Sequence, residues 1–586
     1  MTIRVGWEAA STATRVAAFA LGCAAAAPFS AWSQAPDPAR DAAEQRRAEE
    51  RSNELRRQLE PDPAVRPESA VTASPPTALR LPLSESPCFV IRQLSLDGND
   101  AAQFGWLLDA ASGPSEDDHP LRKCLGATGI DVVAQRMQAA LQSRGYVTSR
   151  VLLQPQDLSS GNLALTVLAG RIHAVRYTDP VDPRAGSLNA MPVRAGDILN
   201  TRDIEQALEN FKRVPGVQAS IDIAATSQPG QSDLLISYKA GSPFRFSLSV
   251  DDSGTRATGK YQAAATLSYD NWWTLNDLFY VSASHDLAAA NRDGQGTRGA
   301  TIHYSLPLGY WTLGVTAGTN RYHQTVAGAS QNYVYSGTSD TAEARLSRVL
   351  WRGTSGKTTA GLRAFARESS NFIDDTEVQV QHRKVGGWEL SVGHRQYVGN
   401  STIDASLAFR RGTGAFGSLP SPEEAFGEGT SRFALLAADA SASVPFSMGA
   451  QPLRYTAVWR AQSNRTPLTP QDRFAIGGRY TVRGFDGESS LVAERGWLVR
   501  NEVAMPLGDA AHELFAGVDF GVVGGPAAAT LVGSRLAGAV LGLRGSMGAP
   551  GGSAISYDVF IGAPLHKPAG FTTSRITSGF NLNASF

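Results

Sequence analysis

The sequence predicts a transmembrane antiparallel β-barrel of about 16 strands, preceded by two small periplasmic α/β units and an N-terminal plug helix. Three observations predict it. After Gly241 the chain becomes a succession of short alternating stretches, separated by turns rich in Gly, Asn, Asp and Ser. The N-terminus carries an export signal. Beyond that signal, no stretch offers the ~18 uninterrupted apolar residues of a membrane-crossing helix.

At 586 residues the chain is too long for one compact domain. Its 54 lysines and arginines balance 54 aspartates and glutamates, so no basic face is implied and no nucleic-acid partner is expected. Neither a phosphate-binding loop nor His and Asp at metal-ligand spacing is found, and no serine lies in a nucleophile elbow. The expectation is therefore no enzyme, no catalytic residue, no metal and no cofactor.

In the export signal, residues 1–35, Arg4 and Arg15 supply positive charge and residues 16–27 an apolar core. Ala31-Trp32-Ser33 or Ser33-Gln34-Ala35 supplies small residues for cleavage, so the mature chain begins near residues 34–36. Cys23 invites a lipid-anchor reading, but it follows Ala20-Leu21-Gly22 and lies inside the apolar core. Cleavage leaves Cys88 and Cys124 in an oxidising compartment, where a disulfide between them is expected.

Residues 36–60 read as a helix. Asp37 can cap it, Pro38 suits its first turn, and Arg46 with Glu50 and Arg56 with Glu60 stand one turn apart. It is polar all round, so it has no stripe to bury in a core and belongs in water or in a wet cavity. Its length, roughly 35 Å, would span the ~25 Å apolar height of a barrel, which makes a plug possible. Residues 61–86, rich in proline, serine and alanine, read as an extended linker. Residues 87–170 and 171–242 form two mixed α/β units. In the first, strands are expected at 89–96, 147–153 and 163–168 and helices near 101–110 and 130–143. In the second, strands are expected at 172–177, 217–224 and 233–238, with an amphipathic helix ending near Lys212.

Residues 243–586 supply the barrel. Phe244, Phe246, Leu248 and Val250 alternate with small or polar residues, as do Ile403, Ala405, Leu407 and Phe409, and Ile555, Tyr557, Val559 and Ile561. Periodicity alone does not tell a lipid-facing from a core-facing apolar side; the export signal and the size favour the membrane. The last alternating stretch, Phe580, Leu582, Ala584 and the terminal Phe586, resembles the recognition signal by which outer-membrane barrels engage their assembly machinery.

This order of parts resembles the transporter (TpsB) component of two-partner secretion systems, the ShlB/FhaC/HecB haemolysin secretion/activation family of the POTRA-containing barrel superfamily. Pro87-Cys88-Phe89, Cys124-Leu125, the run Gly145-Tyr146-Val147-Thr148-Ser149-Arg150-Val151 and Pro155-Gln156-Asp157-Leu158 look like its first POTRA domain. Pro192-Val193-Arg194-Ala195-Gly196-Asp197 and Asp203-Ile204-Glu205-Gln206-Ala207-Leu208 look like its second. Val482-Arg483-Gly484-Phe485 matches the family's VRGF/Y signature in the sixth extracellular loop. Phe515-Ala516-Gly517-Val518-Asp519-Phe520-Gly521 looks like the acidic strand motif that pairs with it. The resemblance implies a lumenal loop acting as gate, with Arg483 bonded to Asp519. It implies as partners a secreted exoprotein (adhesin, haemolysin or contact-dependent toxin), the barrel-assembly machinery during biogenesis and outer-membrane lipid, and a monomer. An assembly factor of the same superfamily and a passive porin are the alternatives; the first usually carries more POTRA units, and the second lacks both POTRA units and VRGF.

Overall fold

The computed structural model describes residues 38–60, 80–113, 115–186, 188–287, 294–328, 330–508, 511–548 and 553–586. The expected export signal, the expected Asp37 cap and residues 61–79 of the expected linker lie outside them.

The first α/β unit packs Ile91, Phe104, Leu107, Leu125, Met137 and Leu163 into one core. Its sheet has Asn162–Leu168 at the centre, with Gln93–Asp97 parallel on one side and Arg150–Leu152 antiparallel on the other. Two strands differ from expectation. The single strand expected at 89–96 is split: Phe89–Val90 turns aside to pair with Cys124–Leu125, beside the Cys88–Cys124 disulfide. The strand expected at 147–153 shrinks to Arg150–Leu152: residues 147–148 form a turn in which Ser149 N–H donates back to the Tyr146 carbonyl, and the Gln138 side chain takes up the Ser149 carbonyl.

The end of the expected linker is also part of this unit. Leu81 is buried in its core, and the Glu85 carboxylate accepts the N–H groups of Gly126, Thr128 and Gly129 at the start of helix Ala127–Ser143. Unpaired amide donors and the helix dipole make that end a natural seat for an anion. Burial pushes the Glu85 carboxyl up, but these backbone donors outweigh it and hold it below its ordinary value.

The second unit places Arg171–Tyr177 and Gln218–Ala225 on either side of Gln231–Lys239. Helix Thr201–Lys212 is capped by Asn200, whose side chain accepts from Arg202 N–H at 2.9 Å. Its apolar face, Ile204, Ala207 and Phe211, fills the unit's core, yet Glu205, Gln206, Glu209 and Asn210 are buried too. They are buried because the opposite face sits on the barrel. Glu209 pairs with Arg352 and Lys357, Asn210 donates to the Gly309 carbonyl at 2.7 Å, and Tyr310 bonds Asp203.

Sixteen long antiparallel strands close the barrel, from Phe244–Asp251 to Thr577–Ser585, which pair with each other. Leu390, Leu407 and Ile561 point outward and are half exposed, whereas Thr266, Ser282 and Ser339 point inward. The apolar side of the alternation therefore faces out. Phe586 completes the seam: its N–H donates to the Phe246 carbonyl at 2.8 Å, and Phe246 N–H donates back at 3.2 Å.

The disulfide closes a 36-residue separation. On the chain-entropy account, replacing Cys88 and Cys124 with serine should lower the stability of the first unit by about 3–4 kcal/mol. Hydrogen exchange of the Ala127–Ser143 helix in the full chain reads this loss, and unchanged protection would contradict it.

Candidate functional site

Residues 465–494 connect strands Gln451–Asn464 and Arg495–Leu507 and run into the lumen. The segment folds on itself as a small hairpin, Phe474–Ile476 against Leu491–Ala493. Ile476, Val482, Phe485 and Leu491 pack there with Leu498, Val523, Leu536 and Phe571 into an apolar knot. Phe485 meets the ring of Phe571 edge-on at 5.7 Å.

At the tip, Arg483 forms a fork with Asp519: Nε donates to Oδ2 at 2.8 Å and Nη2 to Oδ1 at 2.9 Å, while the Arg483 backbone N–H also reaches Oδ2 at 2.9 Å. Both residues are buried. The remaining guanidinium nitrogen donates to Glu502 at 2.7 Å, and from there the charges continue along the wall through Arg544 to Glu513 and Arg454. Charge-assisted, bidentate and shielded from water, this is the strong form of an ion pair. Removing one partner would leave the other charge buried, at a cost on the order of 3–5 kcal/mol.

The wall is shaped to admit the tip. Gly484 has φ +93, and a Cβ there would come within 2.6 Å of the Ala563 carbonyl oxygen. On the facing strands, a Cβ at Gly538 would lie 1.9 Å from the Arg483 carbonyl oxygen, and one at Gly562 would lie 2.9 Å from the Gly484 Cα. Backbone meets backbone, so a side chain on either side would force the loop away. A second anchor holds the seam, where Arg479 donates to Asp252 at 2.7 Å and to the Phe580 carbonyl.

The other lumenal occupant is helix Pro38–Leu59. Its contacts with the wall and loop are polar: Arg46 donates to the Pro470 carbonyl, Arg47 to the Gly487 carbonyl, Glu44 accepts from Thr255 and Thr258, and Arg56 pairs with Glu343 at 2.5 Å. Just past its end, Glu60 is shared between His303 of the barrel at 2.9 Å and Arg213 of the second α/β unit at 3.8 Å. A cavity of about 400 Å³ separates the helix from a wall that includes Arg345, Arg363 and Arg410.

Of the residues singled out from sequence, Val482, Arg483, Gly484, Phe485 and Asp519 come together at one point of the wall, while Cys88, Cys124 and Phe586 lie elsewhere, in the first unit and at the seam. Sequence reasoning missed Glu502, Gly538, Gly562, Arg479 and the Glu60 junction. The only signal for Glu502 is its inward register on an alternating strand, and nothing distinguishes Gly538 and Gly562 among 58 glycines. Among the described residues no three His, Cys, Asp or Glu side chains are grouped to hold a metal ion.

The sequence profile of the haemolysin secretion/activation protein ShlB/FhaC/HecB matches residues 230–545, a ShlB-type POTRA domain matches 89–170, and a further POTRA domain matches 171–225. The outer membrane transporter CdiB-2 of Burkholderia pseudomallei is 39% identical over 513 residues, covering 86% of this chain and 87% of that relative. The hemolysin transporter protein ShlB of Serratia marcescens is 24% identical over 405 residues, covering 68% and 69%. The solved structure of CdiB from Acinetobacter baumannii superposes with a TM-score of 0.79 at 32% identity, covering 94% of this chain and all of that one. With its two POTRA units in the periplasm and its closed barrel in the outer membrane, the chain belongs to the ShlB/FhaC/HecB haemolysin secretion/activation family, the transporters of two-partner secretion.

Proposed function

We propose that the chain translocates one large exoprotein across the outer membrane, recognising its N-terminal secretion domain through the POTRA domains and passing it unfolded through the barrel. The observation that carries this reading is the character of the two lumenal occupants. The helix makes polar contacts that water can replace, and residues 38–60 carry six arginines and six carboxylates, so its departure moves no net charge. The loop is held by the Arg483 fork, a second anchor at Arg479 and one apolar knot. Both lie inside the closed ladder of strands, so either can shift while that ladder stays paired.

The cargo docks by adding a strand to a free POTRA sheet edge, where main-chain hydrogen bonds supply affinity and side-chain pockets supply choice. Docking shifts the second POTRA domain, which strains the Arg213–Glu60 contact, releases the helix and lets the segment Val482, Arg483, Gly484 and Phe485 swing from Asp519. Folding of the cargo outside the cell biases transit outward. The chain does no covalent chemistry and needs no cofactor. It works as a monomer in lipid, after an assembly machinery has read the strand ending at Phe586. Identity of 39% to CdiB-2, against 24% to ShlB, favours a cargo of the class that CdiB transporters carry.

Deleting residues 38–59 should raise single-channel conductance in planar bilayers; wild-type conductance would count against the plug. Arg483→Ala should leave folded barrel in the outer membrane while shifting loop docking by roughly a hundredfold or more, the equivalent of the ~3–5 kcal/mol of an orphaned buried charge. Export of the cargo should fall accordingly, and undiminished export would sink the gate assignment.

A further inference from the structure

The outer wall breaks its own pattern on three neighbouring strands, Leu278–Asp286, Gln295–Leu308 and Trp311–Ala327. Side chains two apart share a face, so on the second of these Arg298 lies on the same outward face as exposed Ile302, and on the third Arg321 and His323 lie on the outward face of Trp311, Leu313 and Val315. Tyr322, between them, is buried inward. Register places Arg298 directly opposite Arg321, and His285 directly opposite Arg298 on its other side. Three cationic or protonatable groups thus form one transverse row, with His323 beside it.

Two like charges directly opposite across a ladder repel, and the arrangement is destabilising unless something sits between them. Among the described residues none does. Among the described residues no carboxylate forms an ion pair with either guanidinium, and Asp340, one step lower on the same outer face, is not paired with Arg321. His285 contacts its neighbour Asp286 at 3.4 Å, a carboxylate on the inward face.

The height of the row identifies what it meets. Leu308 and Trp311 flank the turn that rests on the second POTRA domain, so they mark the periplasmic end. Arg298 and Arg321 each lie ten residues further along. At a rise of ~3.3 Å per residue and a tilt of ~40°, that is about 25 Å, the height of the apolar band. The row therefore stands where the headgroups of the outer leaflet begin. The lipid of that leaflet is a phosphorylated glycolipid, and a phosphate oxyanion between two planar guanidiniums turns their repulsion into two forked, charge-assisted contacts. We propose that Arg298 and Arg321, flanked by His285 and His323, form a binding site for the phosphate of an outer-leaflet glycolipid. The site is independent of the gate and plug, since it lies on the other side of the barrel wall.

The test uses the full-length chain in mixed micelles with bisphosphorylated lipid A, with its dephosphorylated form and with inorganic phosphate, reading retained lipid by native mass spectrometry. Wild type and the control Arg411→Gln, an outward arginine on a more distant strand, should retain bisphosphorylated lipid A. Arg298→Gln with Arg321→Gln should retain about tenfold less, as the loss of charge-assisted contacts implies. Heat-modifiable gel mobility verifies that each barrel is folded. Equal retention by the double variant and wild type overturns the site. The wild type tests it without any variant, because equal retention of dephosphorylated lipid A, or displacement of the lipid by inorganic phosphate at matched concentration, overturns it as well.

Discussion

Hydrocarbon offers no partner to a backbone N–H or carbonyl, and each unpaired group costs several kcal/mol there. A membrane-embedded sheet must therefore pair its first strand with its last, and the pairing of Phe246 with Phe586 is where this chain meets that requirement. The ladder between those two strands is short, covering only Asn581 to Ser585 on the last one. Above it the seam is held by side chains instead, with Asp252 accepting from Phe580 N–H and Arg479 of the lumenal loop bonded to both residues. Loop position and barrel closure are thus not separate matters, because the loop supplies part of the seam.

Closure by so many strands leaves an aqueous interior, and the polar side of the alternation, Ser282, Ser339, Arg363, Glu389 and Arg410, lines it. An occupant of such a space has to be polar. Helix Pro38–Leu59 satisfies that condition, since its Arg46, Arg47 and Arg56 meet polar groups of the loop and wall rather than an apolar groove. Arg56 and Glu343 are partly open to the lumen, whereas Glu44 is buried against Thr255 and Thr258. The loop is held differently. Arg483 is enclosed, and its fork to Asp519 cannot be replaced by water without first exposing both charges. The helix is thus held by dispersed single contacts and the loop by one enclosed fork, and on the proposed function the helix leaves first.

Much of this was legible in the sequence because it rests on period and composition. Alternation after Gly241 gave strands whose positions match the ladder, as at Ile403 to Phe409 within Ser401–Thr413. The polar helix announced itself by the stripe it lacks. What stayed hidden depends on three-dimensional approach. Gln138, which takes up the Ser149 carbonyl just before the strand Arg150–Leu152, acts from a helix eleven residues upstream. Gly538 and Gly562 matter only because the loop tip touches them. Leu81 reads as linker until the core it enters is visible, since one apolar residue in a proline-rich run has no period to belong to.

The junction at Glu60 shows how a periplasmic event can reach the lumen without a large motion. Helix Thr201–Lys212 is bolted to the barrel rim through Glu209, Asn210 and Asp203, so the second POTRA domain cannot swing freely. Arg213 lies one residue beyond that helix and bonds both Ser305 of the barrel and, at 3.8 Å, Glu60. An ion pair at that separation is already near the limit of contact, whereas the Glu60–His303 contact at 2.9 Å is not. A shift of about one ångström at Arg213 would take it out of reach of Glu60 and leave that carboxylate to His303 and Arg56, because Coulomb attraction weakens with distance and water enters as the gap widens. A rigid mount with one long contact transmits a small displacement more faithfully than a loose domain would, and on the proposed function that displacement arrives at the end of the lumenal helix.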